Sequence, residues 1–178
     1  NGDFDKAIEV LRKKGQKVAA NRADRDSSEG VVLAKVNTEN TSGVIISLNC
    51  ETDFVAKNDD YIQLAQKMVD HALKFSDKES FLDSDFDGMK VSEKLLEQTG
   101  VIGEKIEIGS FEYISANFVG SYIHAGNKIA SIVGIAESLE RAKEVGKDLS
   151  MQRTAKKPVA IDENGVRQNV VEKEIEMA

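Results

Sequence analysis

Val44-Ile45-Ile46-Ser47-Leu48-Asn49-Cys50 repeats with a period of two: Val44, Ile46, Leu48 and Cys50 fall on one face, and Ile45, Ser47 and Asn49 on the other. That is the pattern of a strand holding one face against a core. Upstream, Val32, Ala34 and Val36 alternate with Val31, Leu33 and Lys35, and the residues from Asn40 to Gly43 supply turn chemistry between the two runs. The runs are therefore expected to pair as an antiparallel hairpin. Downstream, Asn58 or Asp59 caps a helix with apolar positions Ile62, Ala65, Met68, Val69, Ala72 and Leu73. This ββα unit sets the class of the whole chain.

The unit recurs in outline further along. A capping box from Ser76 to Glu79 predicts a short helix, and Val91, Leu95 and Leu96 mark another. Lys105 to Phe118 is strand-like, with Ile106 and Ile108 on one face, Phe111 and Tyr113 on the other, and a bulge expected where the parity changes at Gly109-Ser110. Val119 to His124 and Ile129 to Ile135 form a second hairpin around Ala125-Gly126-Asn127. Leu139, Ala142, Val145, Gly146 and Leu149 give a helix that must stop before Pro158, and Asp162 to Gly165 is a turn before a final helix. The order ββα…βββα predicts an α+β fold of antiparallel sheet packed with helices.

Before the first strand, Phe4, Ala7, Ile8 and Leu11 are spaced as one face of a helix, with Asp3 as its cap and Gly15 as its stop. Lys13 to Arg25 is basic and poor in apolar residues and is expected to be a tether. The expected division is a remnant helix over residues 1–15, a basic linker over 16–29, a first α+β lobe over 30–137, and the start of a second lobe over 138–178. Opening inside a helix, without Met or a basic-then-apolar leader, and closing on a helix just begun, the chain reads as a piece of a longer polypeptide with no secretion signal.

Composition removes several function classes. Of 178 residues, 24 are basic and 31 acidic, for a net charge of −7. Nucleic-acid affinity comes from Lys and Arg neutralising phosphates, so a direct nucleic-acid partner is not expected. Apolar runs such as Ile129 to Ala136 fall far short of the ~20 residues a membrane helix needs. A single cysteine, Cys50, cannot close an internal disulfide and suits a reducing compartment. With two histidines and that cysteine far apart, no zinc site or other cofactor is expected.

Chemistry concentrates where the second strand ends, at Asn49-Cys50-Glu51-Thr52-Asp53-Phe54-Val55-Ala56-Lys57-Asn58. In one reading, Thr52 and Asp53 satisfy free N–H groups ahead of the helix and Phe54 plugs the core. In the other, the turn projects a rigid ring beside an anion toward a partner, as loops on rigid scaffolds often do. Enzyme readings are weaker. Cys50 could be a nucleophile with His124 as base, but it lies on the apolar phase of its strand, where cysteines are usually inert. Glu51 and Asp53 could form a glycosidase-like pair, yet such spacing is common. Gly100-Val101-Ile102-Gly103-Glu104-Lys105 lacks phosphate-loop spacing and the Ser or Thr that would follow.

Taken together, these strings resemble the elongation factor Ts family, the guanine-nucleotide exchange factors of bacterial and organellar translation. Asn1 to Gly15 resembles the last helix of the family's ubiquitin-associated-like N-terminal module, and Asn49 to Lys57 its most diagnostic signature. Ile102-Gly103-Glu104-Lys105-Ile106, Gly120-Ser121-Tyr122-Ile123-His124 and Met151-Gln152 ahead of Pro158 recur in the same order. The resemblance implies a cytoplasmic, non-enzymatic factor that binds elongation factor Tu and releases GDP. It implies that Asp53 and Phe54 enter the GTPase near its magnesium, with Thr52 and Val55 shaping the turn and His124 supporting the ring. It also implies that Met151 and Gln152 lie in a second lobe that contacts another domain of the partner. Glu51 receives no special role.

The family's Thr-Gly-x-Gly-Met-Met-type string is not in these residues, and the family continues past Ala178 into a helical hairpin, the expected place for a homodimer contact. Against the exchange factor stand two other readings: a small hydrolase using Cys50 or the acidic pair, and a plain scaffold in which the Thr-Asp-Phe turn is only a cap.

Overall fold

A computed structural model describes residues 4–137, 141–168 and 170. The fold is α+β. Strands β1 (Glu29–Val36), β2 (Ser42–Cys50) and β5 (Glu107–Ser115) form an antiparallel sheet in the order β1-β2-β5. Val31 pairs with Leu48 and Leu33 with Ile46, so the hairpin has the register that buries both apolar phases together. Asn40 turns the hairpin at φ 56°, a left-handed conformation that asparagine tolerates.

Helices α2 (Asp53–Ala56), α3 (Asp59–Ala72), α4 (Lys78–Asp83) and α5 (Val91–Ile102) gather over one side of this sheet. The core lies between, built from Val44, Ile46 and Leu48 of β2, Ala65, Met68 and Val69 of α3, and Phe81 of α4. Asn58 caps α3, its side chain accepting from the N–H groups of Asp60 and Tyr61 at 2.9 and 3.2 Å. Helix α4 starts one residue later than the capping box predicts, because Asp77 rather than Ser76 accepts the Ser80 N–H, at 2.8 Å. A miniature hairpin, β3 (Asp85–Phe86) with β4 (Met89–Lys90), turns at Asp87-Gly88, where both φ values are positive. The sequence reading passed over it.

The bulge expected at Gly109-Ser110 is present. Ser47 faces both residues: Ile46 pairs with Phe111, Leu48 with Ile108, and the Ser110 N–H donates to Ser47 Oγ at 2.8 Å. The extra residue resets the pleat, so Phe111 shares the core face with Ile108 instead of opposing it, and its ring lies 5.5 Å from that of Phe81.

On the other face of the sheet lies the hairpin of β6 (Phe118–Ile123) and β7 (Ala130–Ile135). It is tied there by the Val32 N–H donating to Asn127 O at 2.7 Å and the Val119 N–H to Asn40 O at 2.6 Å. Helix α6 (Ala142–Lys156) covers the hairpin, and its buried residues are small: Ala142, Gly146, Ser150 and Thr154. A Cβ on Gly120 of β6 would stand 2.6 Å from the Gly146 carbonyl, which measures how closely helix and strand approach. Leu149, expected inside, is 46% exposed, because the inward positions of α6 are held by small residues that let the Gly120 backbone and the Phe118 ring close onto Gly146. The Asp3 cap, Leu139 and residues 171–178 of the final helix expected over Val170 to Ala178 lie outside the described residues.

Helix α1 (Phe4–Asn21) does not stop at Gly15. Gly15 sits buried against Gly100 of α5: a Cβ on Gly100 would meet the Gly15 Cα at 2.8 Å, and one on Gly15 would meet Leu96 O at 2.2 Å. A tertiary close approach, and not a left-handed cap, explains this glycine. The first part of the basic stretch is thus helix. Arg12 bonds Glu93 of α5 at 2.5 Å, and Arg22, one residue past the helix, bonds Glu51.

Candidate functional site

Where β2 ends, Cys50 is fully buried and the chain must turn. Thr52 remains extended (φ −123°, ψ 151°) and caps α2, its Oγ1 accepting from the Val55 N–H at 3.4 Å. One turn of helix follows. Ala56 is buried and Val55 packs against the core, which fixes the rotation of the turn and leaves Phe54 facing outward at 83% exposure. The core-plug reading of Phe54 is therefore wrong, while the capping reading of Thr52 is right.

Four residues of helix cannot hold themselves in place, since a nucleus of one turn is unfavourable. The restraint comes from a second loop. Gly103 ends α5 in the left-handed conformation at φ 81°, which glycine adopts without strain, and so turns Glu104 toward the Thr52 turn. Glu104 Oε2 accepts from the N–H groups of Glu51 and Thr52 at 3.1 and 3.0 Å, and its Oε1 accepts from the Thr52 hydroxyl at 2.7 Å. Glu51 answers in the opposite sense, its Oε1 accepting from the Lys105 N–H at 2.7 Å. Arg22 Nη1 then donates to both Glu51 oxygens, at 2.8 and 2.6 Å.

Burial works to raise the Glu51 carboxyl's pKa, but the Lys105 N–H and the Arg22 guanidinium together outweigh it and hold the group below its ordinary range. Asp53 is partly exposed and pairs with Lys57 at 2.6 Å, a hydrogen-bonded contact that lowers its pKa as well. Phe54 and Val55 line an open groove of about 450 Å³ with Tyr61, Gln98, Val101 and Ile102. Val101 is 58% exposed, so an apolar surface continues past the ring. Tyr61, which the sequence reading missed as a core residue, is 3% exposed beneath it and donates its hydroxyl to Leu48 O at 2.8 Å.

Thr52, Asp53, Phe54 and Val55 are thus brought together on one turn. His124, at the exposed end of β6, has Nδ1 3.2 Å from the Tyr122 hydroxyl and lines a different groove with Leu33, Gln66 and Val69. Met151 and Gln152 are exposed on α6. The nucleophile reading loses its thiol: Cys50 is buried, burial pushes its pKa up, and its Sγ lies 3.2 Å from Thr52 O. The paired-carboxylate reading fails as well, because Glu51 and Asp53 are each held ionised by a separate cation. Among the described residues, no group of three or more acidic, His or Cys side chains is placed to hold a metal ion, and no helix is long and apolar enough to cross a membrane.

Sequence reasoning assigns Glu51 no special role and meets Glu104 only inside a string that lacks phosphate-loop spacing. Both are central to the turn, and Arg22 joins them. Their partners lie 29 to 54 positions away, so no local pattern marks them.

A family model described as Elongation factor TS matches residues 51–178. Elongation factor Ts of Christiangramia forsetii is 63% identical over 177 residues, covering 99% of this chain and 65% of that protein. Elongation factor Ts of Flavobacterium psychrophilum is 53% identical over 178 residues, covering 100% and 65%. That of Porphyromonas gingivalis is 41% identical over 181 residues, covering 100% and 65%. The chain spans about 65% of the length of these relatives.

Proposed function

The chain belongs to the elongation factor Ts family, and on that premise we propose that it is a guanine-nucleotide exchange factor that binds elongation factor Tu and promotes GDP release during translation elongation. The Thr52-Asp53-Phe54-Val55 turn is its working element. Asp53 and Phe54 enter the GTPase beside the nucleotide and dislodge the magnesium that bridges GDP to the protein. The single observation that carries this reading is an aromatic ring 83% exposed on a turn whose neighbours are all tied down.

A factor that binds the GDP-free GTPase best must weaken GDP binding by the same coupling energy. Each ~1.4 kcal/mol of differential contact changes the equilibrium tenfold, so a few contacts suffice. No bond is made or broken, and the factor is not an enzyme in the chemical sense. In this reading His124 acts from its own groove, apart from the Phe54 ring, and Met151 and Gln152 meet a second domain of the partner. Residues 30–137 form the working body and 138–178 the start of a second lobe. The site of action is the cytoplasm, without direct nucleic-acid or membrane contact. A homodimer contact falls to the helical region that the family carries beyond these residues.

The test is the release rate of fluorescent GDP from elongation factor Tu, alone, with this chain, and with its Phe54→Ala form. The chain accelerates release, and Phe54→Ala loses most of that acceleration while unfolding at the same temperature as the parent. A folded Phe54→Ala form with full activity would remove the wedge. No acceleration by the parent chain would count against exchange activity in these 178 residues.

A further inference from the structure

We infer that Glu104, Glu51 and Arg22 are positioning residues for the wedge: the crossed carboxylates, latched by α1 through Arg22, set the orientation of Phe54. The inference rests on the exchange-factor reading for its functional consequence and on hydrogen-bond geometry for its structural one.

The directions of the bonds carry the argument. The Thr52 hydroxyl has one hydrogen, and it goes to Glu104 Oε1 at 2.7 Å, the shortest contact the hydroxyl makes. The hydroxyl oxygen is then left to accept from Val55, and that bond is long, at 3.4 Å. The cap therefore works through Glu104: the carboxylate fixes the hydroxyl, and the hydroxyl fixes the turn. Glu104 also takes two successive N–H groups that would otherwise point out of the sheet end with no partner. Bonds to an ionised acceptor are about twice as strong as neutral ones. Three of them converge from a two-residue stretch immediately before Asp53.

Glu51 closes the circuit. Two carboxylates meeting at one crossing repel unless each is compensated, and Glu51 has the Lys105 N–H and the Arg22 guanidinium. The Lys105 ammonium bonds Ala23 O and Arg25 O, both at 3.3 Å, so the connection after α1 is fastened at the same point. Displacing α1 takes away the only side-chain cation bonded to Glu51 among the described residues. The helix and the wedge thus share one ion pair.

The closing experiment pairs two readouts on Glu104→Ala, Glu104→Gln and Arg22→Ala. Amide hydrogen exchange reads Thr52 and Val55 against the β2 amides as an internal control. GDP release from elongation factor Tu, titrated with each variant, separates the saturating rate from the half-saturating concentration. Glu104→Ala is expected to expose the Thr52 and Val55 amides while β2 stays protected, and to lower the saturating rate by about tenfold or more, with a smaller change in half-saturation. Glu104→Gln keeps an oxygen for the two N–H groups but offers the hydroxyl a donor, and falls between. Arg22→Ala moves in the same direction by a smaller factor, and Arg22→Lys recovers part of it.

Unchanged protection at Thr52 and Val55 in Glu104→Ala, or an unchanged saturating rate in a variant whose turn has loosened, would overturn the inference. Should Glu104→Ala also lose protection in β2, Glu104→Gln decides by the same criteria. An inactive parent chain would refute the exchange reading alone, and the amide data would still uphold or refute the crossed-carboxylate restraint.

Discussion

Helices α3 and α6 cover opposite sides of the same layered sheets and are held by different physics. Helix α3 presents Ala65, Met68, Val69 and Ala72 to β1 and β2, and its neighbour α4 adds Phe81, all of them buried. Helix α6 presents Ala142, Gly146, Ser150 and Thr154 to β6 and β7. There the Ser131 hydroxyl donates to Ser150 O at 2.5 Å, the Thr154 hydroxyl to Ser131 Oγ at 2.9 Å, and the Ser150 hydroxyl to Gly146 O at 2.8 Å. One side gains from removing apolar area from water. The other gains from close backbone approach and satisfied hydroxyls. Side-chain volume on the helix is the currency of the first interface, and small side chains on the helix are the condition of the second.

The largest effect that tests this contrast is at Phe81, which is fully buried among Phe75, His71 and Phe111. Phe81→Ala is expected to cost about 3–5 kcal/mol in urea unfolding; a cost like that of a surface residue would mean the ring is not a core ring. On the α6 side the corresponding damage comes from adding one carbon. Gly120→Ala drives a methyl into the Gly146 backbone and is expected to cost about 1–3 kcal/mol. Hydrogen exchange should locate that loss in β6, β7 and α6, with β1 and β2 unaffected.

Acid divides the two sides again. The α6 seam uses hydroxyls, which do not titrate, whereas α3 carries His71 between Phe75, Phe81 and Phe86, its Nε2 2.8 Å from Ser84 Oγ. Burial lowers the His71 pKa, Lys74 adds to the effect, and Asp85 and Asp87 oppose it. The unfolded chain then binds a proton first, so stability is full above the ordinary value of about 6.5 and is lost as pH falls from there through the folded pKa. His71→Phe should flatten stability across that window; an unchanged slope would assign it to other groups. The smallest effect is expected at Leu149→Gln, within about 0.5 kcal/mol, because this side chain faces water despite its helical spacing.

What the sequence made legible follows the same line. The β1–β2 hairpin, the buried phase Val44-Ile46-Leu48-Cys50, the α3 stripe and the bulge at Gly109-Ser110 are all written in side-chain size and polarity along a few consecutive residues. The Thr52 cap was legible for the same reason, and Phe54 was left open between core and surface because exposure is settled by what lies beyond the turn. Helix α6 was legible as a helix ending before Pro158, with Ala142 and Gly146 inward, but Leu149 points outward because Ser150 and Thr154 complete the inward face instead. Gly15 misled because a glycine that ends a helix and one that admits another helix look alike in sequence. Glu51, Glu104 and Arg22 left no mark, since each finds its partner across the fold. Asp87-Gly88 is different: its dipeptide is a standard hairpin signal and could have been read.

The contact of α1 with α5 has a consequence in angle. Leu11, Gly15, Val18 and Arg22 recur at intervals of four, three and four, which keeps them on one side of the helix at about 100° per residue. Seven residues, or about two turns, separate the Gly15 notch from Arg22, and the notch admits no rotation because backbone meets backbone there. Deleting one residue between them would swing Arg22 about 100° away from Glu51 while leaving every side chain at both ends intact. The stretch from Gln16 to Asn21 thus carries information as length: apart from Val18 its residues can vary, and their number cannot.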